Sequence, residues 1–220
     1  MLVDLDGMSI AAVYHLMTQV VVPRPIAWVV SDNGVDAGDP DDRSRWNLAP
    51  FSYFNAVASD PPTVMFSVGA SRRDTAATPG LKDTLSNVSV RPEHTIALPC
   101  RDQLDAVEAT SAEVPTGASE FALAGLEPVA WDWPVPMPSG VRAALGCTVD
   151  RIVPVADGPQ RVVLARIHRV WVDDAVVTED AKGRPRVDAT LLDPLLRLGA
   201  GDYAAMGATA RPERSARPEA

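Results

Sequence analysis

The chain has 220 residues, enough for one sizeable core but short for two ordinary domains, and its 46% apolar and 22% charged residues fit a folded globular body. A formal charge of −9, with no Lys/Arg run interleaved with aromatics, removes the attraction on which nucleic-acid binding rests. The opening MLVDLDGMS carries no basic segment and no long apolar stretch follows it, so neither secretion nor a membrane span is expected, and the cytoplasm is.

In chain order, Ser9 reads as an N-cap before Ile10, Val13, Leu16 and Met17 at helical spacing, predicting a short amphipathic helix over 9–18 that ends before Pro23. The run Ile26-Ala27-Trp28-Val29-Val30, bounded by prolines and by Asp-Asn-Gly, predicts a strand. Residues 32–45 then hold Asp32, Asp36, Asp39, Asp41 and Asp42. They lack the glycine and closing glutamate of an EF-hand, so they read as a solvated acidic loop.

Strands are expected over 51–57 and 63–68, separated at Asp60-Pro61-Pro62 because paired prolines cannot donate to a ladder. A polar stretch over 69–80 precedes a helix over 82–90, a strand over 94–98 and a helix over 103–111. The longest strand signals, 142–155 and 161–172, flank Ala156-Asp157-Gly158-Pro159 and predict a long hairpin. Residues 209–220 lack apolar anchors and read as a mobile tail behind a single domain over 1–208. Twenty prolines, antiparallel signals and no βαβ rhythm predict a mainly β fold: a β-barrel with helical decoration.

Two constellations bear on chemistry. In Asn47-Leu48-Ala49-Pro50-Phe51-Ser52-Tyr53-Phe54-Asn55, amides and hydroxyls stand beside aromatics without a charge, which suits a flat heteroaromatic ligand. The same residues also describe an ordinary strand with Phe51 and Phe54 in the core. In Ser67-Val68-Gly69-Ala70-Ser71-Arg72-Arg73 and Lys82-Asp83-Thr84, hydroxyls, cations and a helix start offer phosphate donors. Here the alternative is that Lys82 and Asp83 merely decorate the helix start. Gly80-Leu81-Lys82-Asp83-Thr84 lacks the glycine spacing of a P-loop.

His15, His94 and His168 have no metal-ligand spacing, so no metal is expected, and Cys100 and Cys147 stand in apolar contexts that suit buried thiols. No Gly-x-Ser-x-Gly elbow is present.

In order and spacing, Pro23-Arg24-Pro25-Ile26-Ala27-Trp28-Val29, the Asn47–Asn55 segment, Asp60-Pro61-Pro62-Thr63-Val64-Met65-Phe66-Ser67 and Lys82-Asp83-Thr84-Leu85-Ser86-Asn87 resemble the flavin reductase-like family. Glu120-Phe121-Ala122-Leu123-Ala124-Gly125-Leu126 and Arg197-Leu198-Gly199-Ala200-Gly201-Asp202-Tyr203 resemble its later landmarks. The resemblance implies an FMN-binding split β-barrel, homodimeric, with flavin near the subunit interface. It places Asn47, Ala49, Ser52, Tyr53 and Phe54 along ribityl and isoalloxazine, and Ser67, Lys82, Asp83 and Thr84 around ribityl and phosphate. Arg72 joins them on charge logic alone.

Ala165-Arg166 stands where the family commonly carries Gly-Glu, and Trp171 stands near a family histidine, where its bulk would narrow the approach to flavin. The implied activity passes reducing equivalents from NADH or NADPH through FMN to a second acceptor. The alternatives are a flavin-carrying electron-transfer module without nicotinamide turnover and a specialised enzyme on the same barrel.

Overall fold

The computed structural model describes residues 1–35, 43–71, 80–115 and 118–210. Arg72 and Arg73, Asp36, Asp39, Asp41 and Asp42 of the acidic stretch, and residues 211–220 of the tail lie outside the described residues.

In chain order the elements are α1 (Ile10–Val20), β1 (Arg24–Pro25), β2 (Ala27–Asp32), β3 (Trp46–Phe51), β4 (Phe54–Ser59), β5 (Pro62–Val68), α2 (Asp83–Val90), β6 (Glu93–Ala97), α3 (Leu104–Ala109) and α4 (Glu120–Ala124). There follow β7 (Pro128–Trp131), β8 (Trp133–Pro138), β9 (Ala143–Pro154), β10 (Arg161–Val172), β11 (Val177–Glu179), β12 (Pro185–Val187), α5 (Ala189–Leu192), β13 (Leu196–Arg197) and β14 (Tyr203–Ala204). Ser9 caps α1 as expected, its Oγ accepting from Ala12 N at 3.2 Å.

Seven strands form one antiparallel sheet in the order β3-β2-β6-β9-β10-β5-β4. Register shifts at Ala56/Ala58, Leu164/Ala165 and Ile167/Arg169 insert the extra residues that let β4, β9 and β10 coil. The expected hairpin is β9–β10, although the residue with positive φ in its turn is Ala156.

Side chains alternate across a strand, and here both faces are covered. Ala27 and Val29 of β2 point into the barrel with Phe51, Phe54, Val64, Phe66, Val68, Ile96, Cys147 and Val163, and Leu85 of α2 joins them. Trp28 and Val30 point outward, where Leu48, Val107, Phe121, Val135 and Met137 form a second core beneath α3, α4 and β8. β2 is therefore buried at five consecutive residues, and a period-two pattern is invisible in its sequence.

The strand expected over 51–57 is corrected. β3 begins at Trp46 and the chain breaks at Ser52-Tyr53 before β4 starts at Phe54. Phe51 and Phe54 both enter the barrel, yet three residues apart on one strand they would face opposite ways, so the chain bends between them. The helix expected over 103–111 is shorter, a 3₁₀ turn at Arg101–Gln103 leading into α3. The β7–β8 hairpin, α4 and the C-terminal strands leave no periodic signal in the sequence, since all are short and prolines fall within β7 and β8.

His94 on β6 is fully buried. Its Nδ1 lies 2.9 Å from Pro92 O, so Nδ1 carries the proton, and Nε2 has no hydrogen-bond partner. The ring meets Phe66 edge-on at 5.8 Å, and burial pulls its pKa down to about 4 from 6.5. Because the folded pKa is depressed, protonation favours the unfolded chain: the cost is absent above about pH 6.5 and grows as the pH falls toward 4. At pH 5 it should reach about 2 kcal/mol. Urea unfolding of the wild type and His94→Phe at pH 7 and pH 5 should show the variant losing less stability over that interval; equal losses would remove His94 as the acid-labile group.

Candidate functional site

β3 places Asn47 and Ala49 beside the start of α2, and side-chain hydrogen bonds fix that meeting. Asn47 Nδ2 donates to Thr84 Oγ1 at 2.9 Å and to Ser31 Oγ at 3.3 Å. Asn87 Nδ2 donates to the same Ser31 hydroxyl at 3.1 Å and to Asn33 Oδ1 at 2.8 Å. Asn47, Thr84, Ser31 and Asn87 are all buried, and a buried polar network with partners for its members holds one geometry.

From the other side, Glu120 at the start of α4 accepts from Leu48 N at 3.0 Å, and Ser119 Oγ donates to Trp46 O at 3.0 Å. Trp28 Nε1 donates to Thr110 Oγ1 at 2.8 Å, tying the end of α3 to the same strands. Between these walls lies a cavity of about 110 Å³, lined by Asn47, Ala49, Pro50, Lys82, Asp83 and Thr84 on one side and by Thr110, Ser111, Ala112, Glu113 and Glu120 on the other; Ser71 also lines it.

Its electrostatics centre on Lys82, the N-cap residue of α2, which makes no side-chain capping bond. The first N–H groups of a helix lack intrahelical partners and lie at the positive end of the helix dipole. The Lys82 ammonium stands 6.0 Å from the Phe51 ring centroid and makes no ion pair among the described residues. Asp83, Glu113 and Glu120 supply carboxylates to the same lining. The donor set fits a phosphate at the helix start, with amides and small apolar groups of β3 beside it for a flavin's ribityl chain and ring.

Of the residues singled out from sequence, the structure gathers Asn47, Ala49, Lys82, Asp83 and Thr84 in this cavity. Ser52 and Tyr53 form the bend after β3, where burial, with the phenol of Tyr14 next in weight, raises the Tyr53 pKa. Phe54 packs in the barrel core and lines a separate apolar cavity with Ile26, Val64 and Leu195. Ser67 Oγ accepts from Gln160 Nε2 at 2.7 Å, at the far end of the β9–β10 hairpin. Trp171, opposite Ala144, is half-buried against the outer core rather than in the cavity lining. Thr110–Glu113 escaped the sequence reading because only the packing of α3 against β2 and β3 brings them to the site; Glu120 stood in a familiar segment without an assigned role.

The seven-stranded antiparallel sheet wrapped around an apolar interior is the split-barrel fold, similar to a protein with a split barrel domain from Shewanella frigidimarina at TM-score 0.73 and 19% identity, over 96% of each chain. Residues 17–195 match the model of the flavin reductase like domain, and the chain belongs to that family. It is 32% identical over 198 residues to an uncharacterised protein of Deinococcus radiodurans, covering 89% of this chain and 81% of the relative. Its fold is similar to nitrilotriacetate monooxygenase component B from Bacillus cereus, at TM-score 0.81 and 27% identity, covering 96% of this chain and 98% of the other. It also superimposes on flavoredoxin of Desulfovibrio vulgaris at TM-score 0.67 and 20% identity, over 98% and 99% of the two chains.

Proposed function

We propose that this flavin-related oxidoreductase binds FMN and passes reducing equivalents from NADH or NADPH through it to a second acceptor in the cytoplasm. The observation that carries the reading is Lys82 at an uncapped helix start, locked by the Asn47–Thr84 bond beside the amide-bearing wall of β3. Bound flavin would supply the hydride chemistry, and the protein would bind, orient and shield it. Lys82 and the first N–H groups of α2 hold the phosphate; Asp83 accepts from ribityl hydroxyls; Asn47 and Ala49 border the ribityl and ring. The similarity to a component of a monooxygenase supports an acceptor beyond the flavin itself.

The same reading makes the protein a homodimer. A cavity of about 110 Å³ is smaller than the roughly 300–1,000 Å³ of ordinary ligand sites, and the surface of a second copy would enlarge it. Edge strand β4 is exposed from Asn55 to Ser59, and Ile10 and Val20 of α1 are 90% and 71% exposed, leaving apolar surface for a partner.

Lys82→Ala should weaken FMN binding about tenfold to a hundredfold, for loss of roughly 1.5–3 kcal/mol of charge-assisted hydrogen bonding, while riboflavin binding changes little. Fluorescence titration of both flavins checks this, and equal weakening of the two would move Lys82 away from the phosphate. Anaerobic mixing of the FMN-loaded protein with NADH and NADPH should bleach the flavin at a catalytic rate with at least one of them; bleaching with neither would leave a carrier. Native mass of the loaded protein should be twice that of the chain, and a monomer mass that persists at high concentration would sink the shared site.

A further inference from the structure

Arg24, at the start of β1, is only 6% exposed. Its Nη1 donates to Thr18 O at 2.6 Å and Val21 O at 2.7 Å, and its Nη2 donates to Leu198 O at 2.8 Å. Those three bonds use three of the five guanidinium donors, leaving Nε–H and one Nη2–H. Nε is buried with no hydrogen-bond partner. The acceptors are all neutral carbonyls, and among the described residues no carboxylate pairs with Arg24. Buried cations are ordinarily paired, since removing a charge from water without a counter-charge costs far more than its hydrogen bonds return.

Beside this cation lies a cavity of about 370 Å³ between α1 and the turn that joins β13 to β14, lined by Tyr14, His15, Thr18, Arg24, Arg197, Leu198, Ala200 and Gly201. No lining residue is acidic, in a chain whose net charge is −9. Arg197 adds a second guanidinium, whose own partner, Glu108 Oε1 at 2.7 Å, stands outside the lining. The walls are held together by Arg24 itself and by Gly199, where an added Cβ would come within 2.7 Å of Gln19 Cα. The Lys82 cleft is lined by none of these residues.

We propose that this cavity is an anion site for a small molecule bearing a carboxylate or phosphate, which supplies the counter-charge that Arg24 lacks. Nε is sealed from solvent, so the anion meets the guanidinium through the remaining Nη2–H, with Arg197 on the same cavity lining. The exposed His15 and Tyr14 add a ring nitrogen and a hydroxyl, while the buried Thr18 hydroxyl already donates to His15 O at 3.1 Å. The cavity exceeds an inorganic anion in size, so it accommodates the body of an organic acid or phosphate ester.

The test is thermal unfolding in phosphate and, separately, in succinate, each against chloride at matched ionic strength, so that general screening cancels. A ligand bound only by the folded state should raise the midpoint saturably, by roughly 5–10 °C at a hundredfold excess over Kd. The effective anion identifies the headgroup. The shift should persist in Lys82→Ala, which weakens phosphate binding at the other cleft and so separates this proposal from the flavin reading. It should vanish in Ala200→Asp, which places a carboxylate on the cavity wall at a position with φ +56° that aspartate tolerates better than alanine. Arg24→Met should abolish it too, and Ala200→Asp keeps the test decisive if that variant fails to fold. No saturable shift with either anion overturns the proposal, as does a shift lost in Lys82→Ala but kept in Ala200→Asp. A midpoint that rises with protein concentration and ignores both anions would assign the counter-charge to a second copy of the chain and likewise overturn it.

Discussion

Strand β2 is buried on both faces, and the remainder of the architecture answers that constraint. Ala27 and Val29 fill the barrel while Trp28 and Val30 require a second apolar layer outside it. A lone barrel would leave Trp28 in water, so α3, α4 and the β7–β8 hairpin are structural necessities. The Trp28–Thr110 hydrogen bond, made where the indole N–H is cut off from water, sets the end of α3 over β3. A demand of the core thus positions Thr110 to Glu113 as a wall of the cleft.

The opposite wall has a different origin. α2 closes the barrel with Leu85 and is held by amide and hydroxyl groups as well as by apolar contact. Ser31 receives two carboxamide donors, one from β3 and one from α2, so a single hydroxyl on the central strand registers the helix against the sheet. At the far end of α2, Arg91 Nε donates to Asp32 O at 2.8 Å. With both ends fixed, the helix start and the Lys82 ammonium are held at one place in the cavity lining.

Net charge says little about where the buried and cavity-lining cations of this molecule stand. Acidic side chains dominate the chain, yet Lys82 and Arg24 each make no ion pair among the described residues, one beside a helix start and the other within a cage of carbonyls. Asp83, Glu113 and Glu120 line the cavity with Lys82, whereas no carboxylate lines the one beside Arg24, so the two cations stand in different local fields that net charge does not reveal.

The sequence by itself determined the elements whose cause is local. Ser9 caps a helix through its own hydroxyl, Asp157-Gly158 marks the turn of the long hairpin, and the apolar run before Asn33 can only be a strand. The family segments around Asn47 and Lys82 also assign these residues to one ligand, and they line one cavity. Tertiary structure decided the rest, because sharing a space depends on long-range pairing that no local pattern encodes. Asn47 faces inward only because Thr84 and Ser31 receive its amide, so a polar residue hid the start of β3. The resemblance sets Phe54 along the flavin and Trp171 on its approach, whereas what their segments could not give is placement: a bend at Ser52-Tyr53 turns Phe54 into the barrel core, and the register with β9 sets Trp171 against the outer layer. The pairing of Arg24 with three carbonyls spans α1 and the turn after β13, 174 residues away in the chain at its farthest partner, and only the folded molecule brings those groups around one guanidinium.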